Sequence, residues 1–163
     1  MPKPIVFMAC SAGKLEQAAP ALQIYRGVMW QTLRAHADPA NMPHLVVLSA
    51  RHGFFSADQV IEPYEQLMTA ERSDELLGKA ARGEFLDALA WPEDVDRILL
   101  AGGALYRRVM HAMVDCLVRA GRLPRTARVA QVRGGIGEQR EQLGRFLNES
   151  RWVAGSMVGA AGC

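Results

Sequence analysis

Apolar residues gather into runs and stripes along the chain. Two runs are continuous, Pro4–Ala9 (PIVFMA) and His44–Ala50 (HLVVLSA), and two are shorter, Arg97–Ala101 (RILLA) and Arg128–Val132 (RVAQV). The first two, unbroken and bounded by turn signals, read as buried strands, and the shorter two as a third and a fourth strand. Between them the period lengthens. Leu22, Tyr25, Met29 and Leu33 predict a helix over residues 20–37, ended by Asp38-Pro39. Leu77, Ala81, Phe85 and Leu89 predict a helix over 72–90, stopped by Trp91-Pro92. Tyr106, Val109, Met110, Met113 and Leu117 mark a third helix, capped by Gly121. A last helix passes through Leu143 and Phe146-Leu147. The segment RHGFFSADQVIEPYEQLM fits neither period, and residues 155–163 read as a loose tail.

Strands alternating with helices predict one α/β domain over 1–163. Its expected form is a three-layer sandwich around a mostly parallel four-stranded central sheet. In such sheets ligands bind beyond the C-terminal ends of the strands. CSAGK, RHGFF, GGALY and RGGIG all leave strand ends, and they are also the chemically most unusual segments.

Composition narrows the class. A chain of 163 residues, 50% hydrophobic and 22% charged, can bury a core, which argues against long disordered tracts. No stretch nears the roughly 20 apolar residues of a membrane span. Cys10, Cys116 and Cys163 fit neither a disulfide framework nor a paired zinc motif, so no metal or cofactor is expected. With no signal-peptide pattern after Met1, the expected compartment is the cytoplasm. Charge is uneven: residues 1–118 carry 11 Lys or Arg against 14 Asp or Glu, while 119–163 carry eight Arg against three Glu. The basic third suggests a polyanionic partner, with Arg133, Arg140 and Arg145 as phosphate contacts; the plainer alternative is a solvated surface.

Lys14 stands out because the chain has three lysines beside sixteen arginines. A lysine that loses its proton in a partly dry pocket is a nucleophile, which arginine cannot be; kept charged, it holds a phosphate. His52, between Arg51 and Gly53 after the second strand, is a candidate general acid or base. Glu62 and Tyr64 flank Pro63. An extended Pro63 would point both to one side, as a carboxylate beside a stacking ring. Phe54 is a second stacking candidate. Gly102 and Gly103, before Tyr106, put free backbone N–H groups at a strand-to-helix turn, though neither dinucleotide nor P-loop fingerprint is present.

Together, FMACSAGK, LSARHGFFSADQVIEPYEQL, LAGGALYRRV and RGGIGEQREQL resemble a bacterial and phage family with a C-S-x-x-K loop, an L-S-A-[KR]-[HY]-G-[LF] segment, a downstream E-P-Y and a G-G-x-x-Y turn. That family is similar to the YaaA peroxide-stress proteins and to the middle domain of archaeosine synthase, relatives whose fold is similar to uracil-DNA glycosylases. The resemblance spans roughly residues 4–148. It implies a nucleobase or nucleic-acid site lined by Cys10, Ser11, Lys14, Ser49, His52, Gly53, Glu62 and Tyr64. By analogy with archaeosine synthase, whose motif lysine attacks a deazaguanine nitrile, it marks Lys14 as a nucleophile candidate. The chain differs from archaeosine synthase in having no K-P-Y after Lys14, and from uracil glycosylases in having no asparagine-containing water-activating motif.

The expected function is therefore a base-processing enzyme, a DNA-glycosylase-like hydrolase or a base-modifying transferase, acting on a modified base in nucleic acid, most naturally DNA. A flipped base would stack on Tyr64 or Phe54. His52 or Glu62 would move protons, and Lys14 would attack or stabilise charge. Two alternatives stand beside it: a non-catalytic DNA-binding protein of stress protection, and a small-molecule nucleoside hydrolase that would not need the basic segment.

Overall fold

The computed structural model describes residues 2–161, with side chains through residue 149. In chain order the elements are β1 (Ile5–Ala9), β2 (Ala19–Pro20), α1 (Ala21–Ile24), α2 (Val28–His36), β3 (His44–Ser49), β4 (Gly53–Ser56) and β5 (Val60–Ile61). There follow α3 (Ala70–Ala81), β6 (Arg97–Ala101), α4 (Ala104–Arg119), β7 (Arg128–Gln131) and α5 (Ile136–Ala161).

The four apolar runs are neighbouring parallel strands, in the order β3-β1-β6-β7. The expected four-stranded sheet gains a fifth member: β4 pairs antiparallel on the outer side of β3, so the sheet is mixed. The small antiparallel pair β2-β5 lies outside it.

Alternation along β1, β3 and β6 explains their continuous apolarity, whereas the edge strand β7 is largely exposed. Val6, Met8, Leu45, Val47, Leu99 and Ala101 join the core under α1, α2 and α5. Ile5, Phe7, Val46, Leu48, Ile98 and Leu100 join the core under α3 and α4. Both faces are dry, so no position along β1 needs to be polar.

Two predicted helices are shorter than expected. The 20–37 helix breaks at Tyr25–Gly27, because Arg26 N–H donates to the Gly13 carbonyl and Leu15 N–H to that of Ile24. Those bonds pair the Lys14 loop with the chain at Tyr25 and leave α1 and α2 as separate pieces. The 72–90 helix stops at Ala81, where Arg82 is the C-cap and Gly83 follows at φ +80°. Its buried stripe is Ser73, Leu76 and Ala80 rather than Leu77 and Ala81. Gly121, at φ +72°, closes α4 as expected. Arg122 N–H bonds the Leu117 carbonyl and Gly121 N–H that of Val118. α5 takes in residues 155–161 of the stretch expected as a tail; 162–163 lie outside the described residues.

β4 begins at Gly53, paired with Ser49 across a three-residue turn. Gly53 has φ +72°, and a Cβ there would stand 2.6 Å from the Phe85 ring. Gly53→Ala is therefore expected to cost about 1–3 kcal/mol through backbone strain, lowering Tm by roughly 3–10 °C. Gly137→Ala is the control. A Cβ at that helical position meets nothing within 4 Å, so it should leave Tm unchanged or raise it. Thermal unfolding followed by circular dichroism reads both.

Candidate functional site

Cys10 through Lys14 form the loop leaving β1. Ser11 Oγ donates to the Gly13 carbonyl at 2.8 Å and accepts from Gly27 N–H at 3.2 Å, so this hydroxyl shapes the loop. Trp30 Nε1 donates to the Ala9 carbonyl at 2.9 Å and fixes the end of the strand. The half-buried Lys14 side chain turns inward. Its Nζ donates to the Ala12 carbonyl at 3.3 Å and stands 4.6 Å from the centre of the Tyr64 ring. A cation held on an aromatic face has exchanged part of its water for the ring.

Beneath it all three tyrosines of the chain meet. Tyr25 Oη lies 2.7 Å from Tyr64 Oη, and Ser49 Oγ lies 2.6 Å from the same oxygen. Tyr106 Oη lies 3.2 Å from Cys10 Sγ. Ser49 Oγ also accepts from the N–H groups of Arg51 (3.1 Å) and His52 (3.2 Å). With both lone pairs engaged, Ser49 must donate its own proton to Tyr64. Burial pushes the Tyr64 phenol up to about 12, and Cys10 beside it adds to the rise, while the bonds from Ser49 and Tyr25 pull the other way. That is the pattern of a hydroxyl that accepts from Ser49 and Tyr25 and donates toward Cys10. Burial, above all, also raises Tyr25 and Tyr106 far above the ordinary phenol range.

A cavity of about 400 Å³ opens at this point, with Cys10, Ser11, Lys14, Glu65, Gln66 and Tyr106 among its lining. It lies beyond the C-terminal ends of the strands, where the topology places a ligand. A lysine ammonium, a thiol, a phenol, a carboxylate and an amide thus border one space.

The predicted residues divide on this geometry. Cys10, Ser11, Lys14 and Tyr106 line the cavity, while Ser49 and Tyr64 form its floor network. His52 rests edge-on against Tyr64 and Phe55, with ring centres 5.0 and 5.8 Å apart. This partial burial, then Arg51, holds its imidazole below the ordinary range, so it is neutral at pH 7. The Arg51 guanidinium lies 5.9 Å from the Tyr64 ring.

Several expectations are corrected. Phe54 belongs to the core under α3 and α4, stacked edge-on with Phe7 and Phe85, and offers no platform to a base. Tyr64 is only 7% exposed and carries Lys14 on its face, so it is not an open stacking surface either. Glu62 is exposed whereas Tyr64 is buried, so the two do not share a side, and Glu62 does not line the cavity. Gly53 serves the hairpin. Gly102 is buried where a Cβ would meet that of Ala9 at 2.8 Å, so it lets β1 and the start of α4 close up. Gly103 caps α4 without lining the cavity.

Arg133, Arg140 and Arg145 lie outside the cavity lining as well. Arg133 is latched through its backbone to Gln142, Arg140 Nε donates to Thr32 Oγ1 at 2.9 Å, and Arg145 pairs with Glu141 at 3.0 Å. Arg140 and Arg145 border a separate groove between α2 and α5. Sequence reasoning missed Glu65, Gln66 and Tyr25. The first two sit in the same E-P-Y-E-Q stretch as Glu62. Gln66 Nε2 and Arg72 Nε both donate to the Ala50 carbonyl, tying that stretch and α3 to the β3–β4 turn.

Fold and cavity define an α/β domain with a cleft of ionisable and polar side chains at the C-terminal ends of its parallel strands. The chain belongs to the DUF6884 family, a family of unknown function whose profile matches residues 5–141. No curated protein and no solved structure matches it. Among the described residues no helix is long and apolar enough to cross a membrane, and no three His, Cys, Asp or Glu side chains group as metal ligands.

Proposed function

We propose that this protein processes a nucleobase, as a glycosylase-like hydrolase or a base-modifying transferase, on a modified base carried in DNA. The observation that carries the reading is the cavity at the strand ends, where Lys14 stands beside Cys10, Tyr106 and Glu65. A flat heterocycle suits such a space, with aromatic contact from Tyr106 and polar groups for its edge. The parallel strand core and the C-S-x-x-K loop favour kinship with the uracil-DNA-glycosylase-like fold.

In this reading Lys14 attacks the sugar C1′ or the base, or stabilises negative charge without attacking. Glu65, in place of the expected Glu62, is the carboxylate at the ring's edge. His52, neutral at pH 7, is a proton acceptor close to the floor network. Arg51, exposed and 5.9 Å from the Tyr64 ring, is the candidate for a phosphate contact.

The test is a panel of duplex and single-stranded DNAs, each bearing one modified base, incubated with purified protein and read by mass spectrometry. A base lost or changed in mass on one member, and not on its unmodified control, is the expected result. Binding without any mass change across the panel would favour the non-catalytic alternative. Turnover confined to free nucleosides would move the substrate out of DNA.

A further inference from the structure

The β7 edge of the sheet carries a second feature. β7 is the last strand in the order, paired with β6 on one side alone among the described residues. Arg128 N–H donates inward to the Asp96 carbonyl and Val132 N–H to that of Leu100. Parallel pairing alternates, so the backbone groups of Val129 and Gln131 face away from β6. The next outward donor, Arg133 N–H, is already taken by Gln142 Oε1 at 2.8 Å. Val129 and Gln131 are therefore the open rungs.

Beside them lies a notch of about 440 Å³ under the α4 face, lined by Ile98, Val114, Val118 and Val129, with Asp115, Arg119 and Arg125 also on its walls. Val129 is 43% exposed. Arginine recurs every third residue here, at 119, 122, 125 and 128. Arg122 pairs with Asp87, and Arg119 donates to the Ala81 carbonyl. Arg125 and Arg128 have no side-chain hydrogen bond or ion pair among the described residues.

We propose that the β7 edge docks an extended acidic segment of a partner protein, which adds to the sheet as a sixth strand. Alternation on the incoming strand would send apolar side chains into the notch and carboxylates toward Arg128, with Arg125 at the notch rim. Charge selects this occupant over a second copy of the chain, since two β7 edges side by side would bring arginines together. Open strand rungs beside a notch that has Ile98, Val114, Val118 and Val129 among its walls suit a peptide backbone, which nucleic acid does not supply.

The test uses the full chain and a labelled, blocked nonapeptide of alternating Glu and Val. Nonaglutamate and an unmodified DNA duplex serve as comparison probes. Fluorescence anisotropy measures binding, and amide hydrogen exchange locates it. The Glu/Val peptide should bind, and should slow exchange at Val129 and Gln131 severalfold. Arg125→Glu with Arg128→Glu should weaken it by roughly tenfold or more. Val129→Pro should abolish the slowed exchange at Gln131 while Tm holds, because it removes an outward donor and leaves the β6 ladder intact. Equal binding of nonaglutamate would overturn strand addition. So would the absence of peptide binding, or duplex DNA protecting the same two amides and displacing the peptide.

Discussion

Lys14→Ala should reduce the proposed base-processing turnover by roughly 100-fold or more, and Lys14→Arg separates the two ways that loss can arise. The ammonium is placed by backbone as much as by side chain. Lys14 pairs with Tyr25 across a β-bridge, and Nζ is held between the Ala12 carbonyl and the Tyr64 ring. If the lysine acts by charge, arginine restores part of the rate. If the amine attacks C1′, the bond from C1′ to the base breaks, the base leaves with the electron pair, and the sugar opens to an imine on Nζ. Borohydride then reduces that imine to a permanent protein–DNA adduct. We expect the adduct with the native chain and with neither variant, and equal loss of turnover in both. A Lys14→Arg protein that keeps its rate would remove covalent attack and leave an electrostatic lysine.

Raising pH should produce no tyrosinate from the folded protein near pH 10, followed by one cooperative step in which ionisation and unfolding coincide. Tyr25, Tyr64 and Tyr106 are the only tyrosines, so the absorbance change reports this network alone. An unfolded tyrosine ionises near 10. Burial raises all three in the folded state, Tyr64 to about 12 and the others further. Above pH 10 the unfolded chain therefore holds fewer protons than the folded one. Unfolding free energy falls as pH rises, by up to about 4 kcal/mol per pH unit if all three contribute. The stability is present below pH 10 and is lost on the way to pH 12 and beyond. Tyrosinate absorbance recorded together with far-ultraviolet circular dichroism makes the comparison. A smooth titration centred near pH 10 with the dichroism unchanged would show that the hydroxyls are not sealed as described.

The sequence carried much of the scaffold and less of the site. The parallel strands were legible because burial on both faces leaves runs such as PIVFMA and HLVVLSA without polar interruption. β4 was hidden because Phe54 and Phe55 serve opposite cores, so a four-residue strand shows no clean alternation. The stripe of Leu22, Tyr25, Met29 and Leu33 survives the break between α1 and α2, since both pieces face one core. The break itself comes from bonds to Gly13 and Leu15, which no local pattern contains. Lys14, Cys10 and Tyr106 were legible from strand-end position. Glu65 was not, because residues 62–69 have no regular period from which to tell which carboxylate turns inward. Tyr25 read as a helix-face residue, and its hydroxyl contact with Tyr64 appears only once distant segments pack.

Ser49 ties two parts of the molecule that would otherwise vary independently. Its oxygen receives the N–H groups of the β3–β4 turn and its proton reaches Tyr64. Surface hairpin turns are usually where insertions accumulate and where loops can be exchanged between relatives. This one is not a free module. Lengthening it between Ala50 and His52 would withdraw the donors that orient Ser49, and the disturbance would run through Tyr64 to Tyr25 and Cys10. In family members of different turn length, residues 49 and 64 should therefore change together, and a loop graft should carry both.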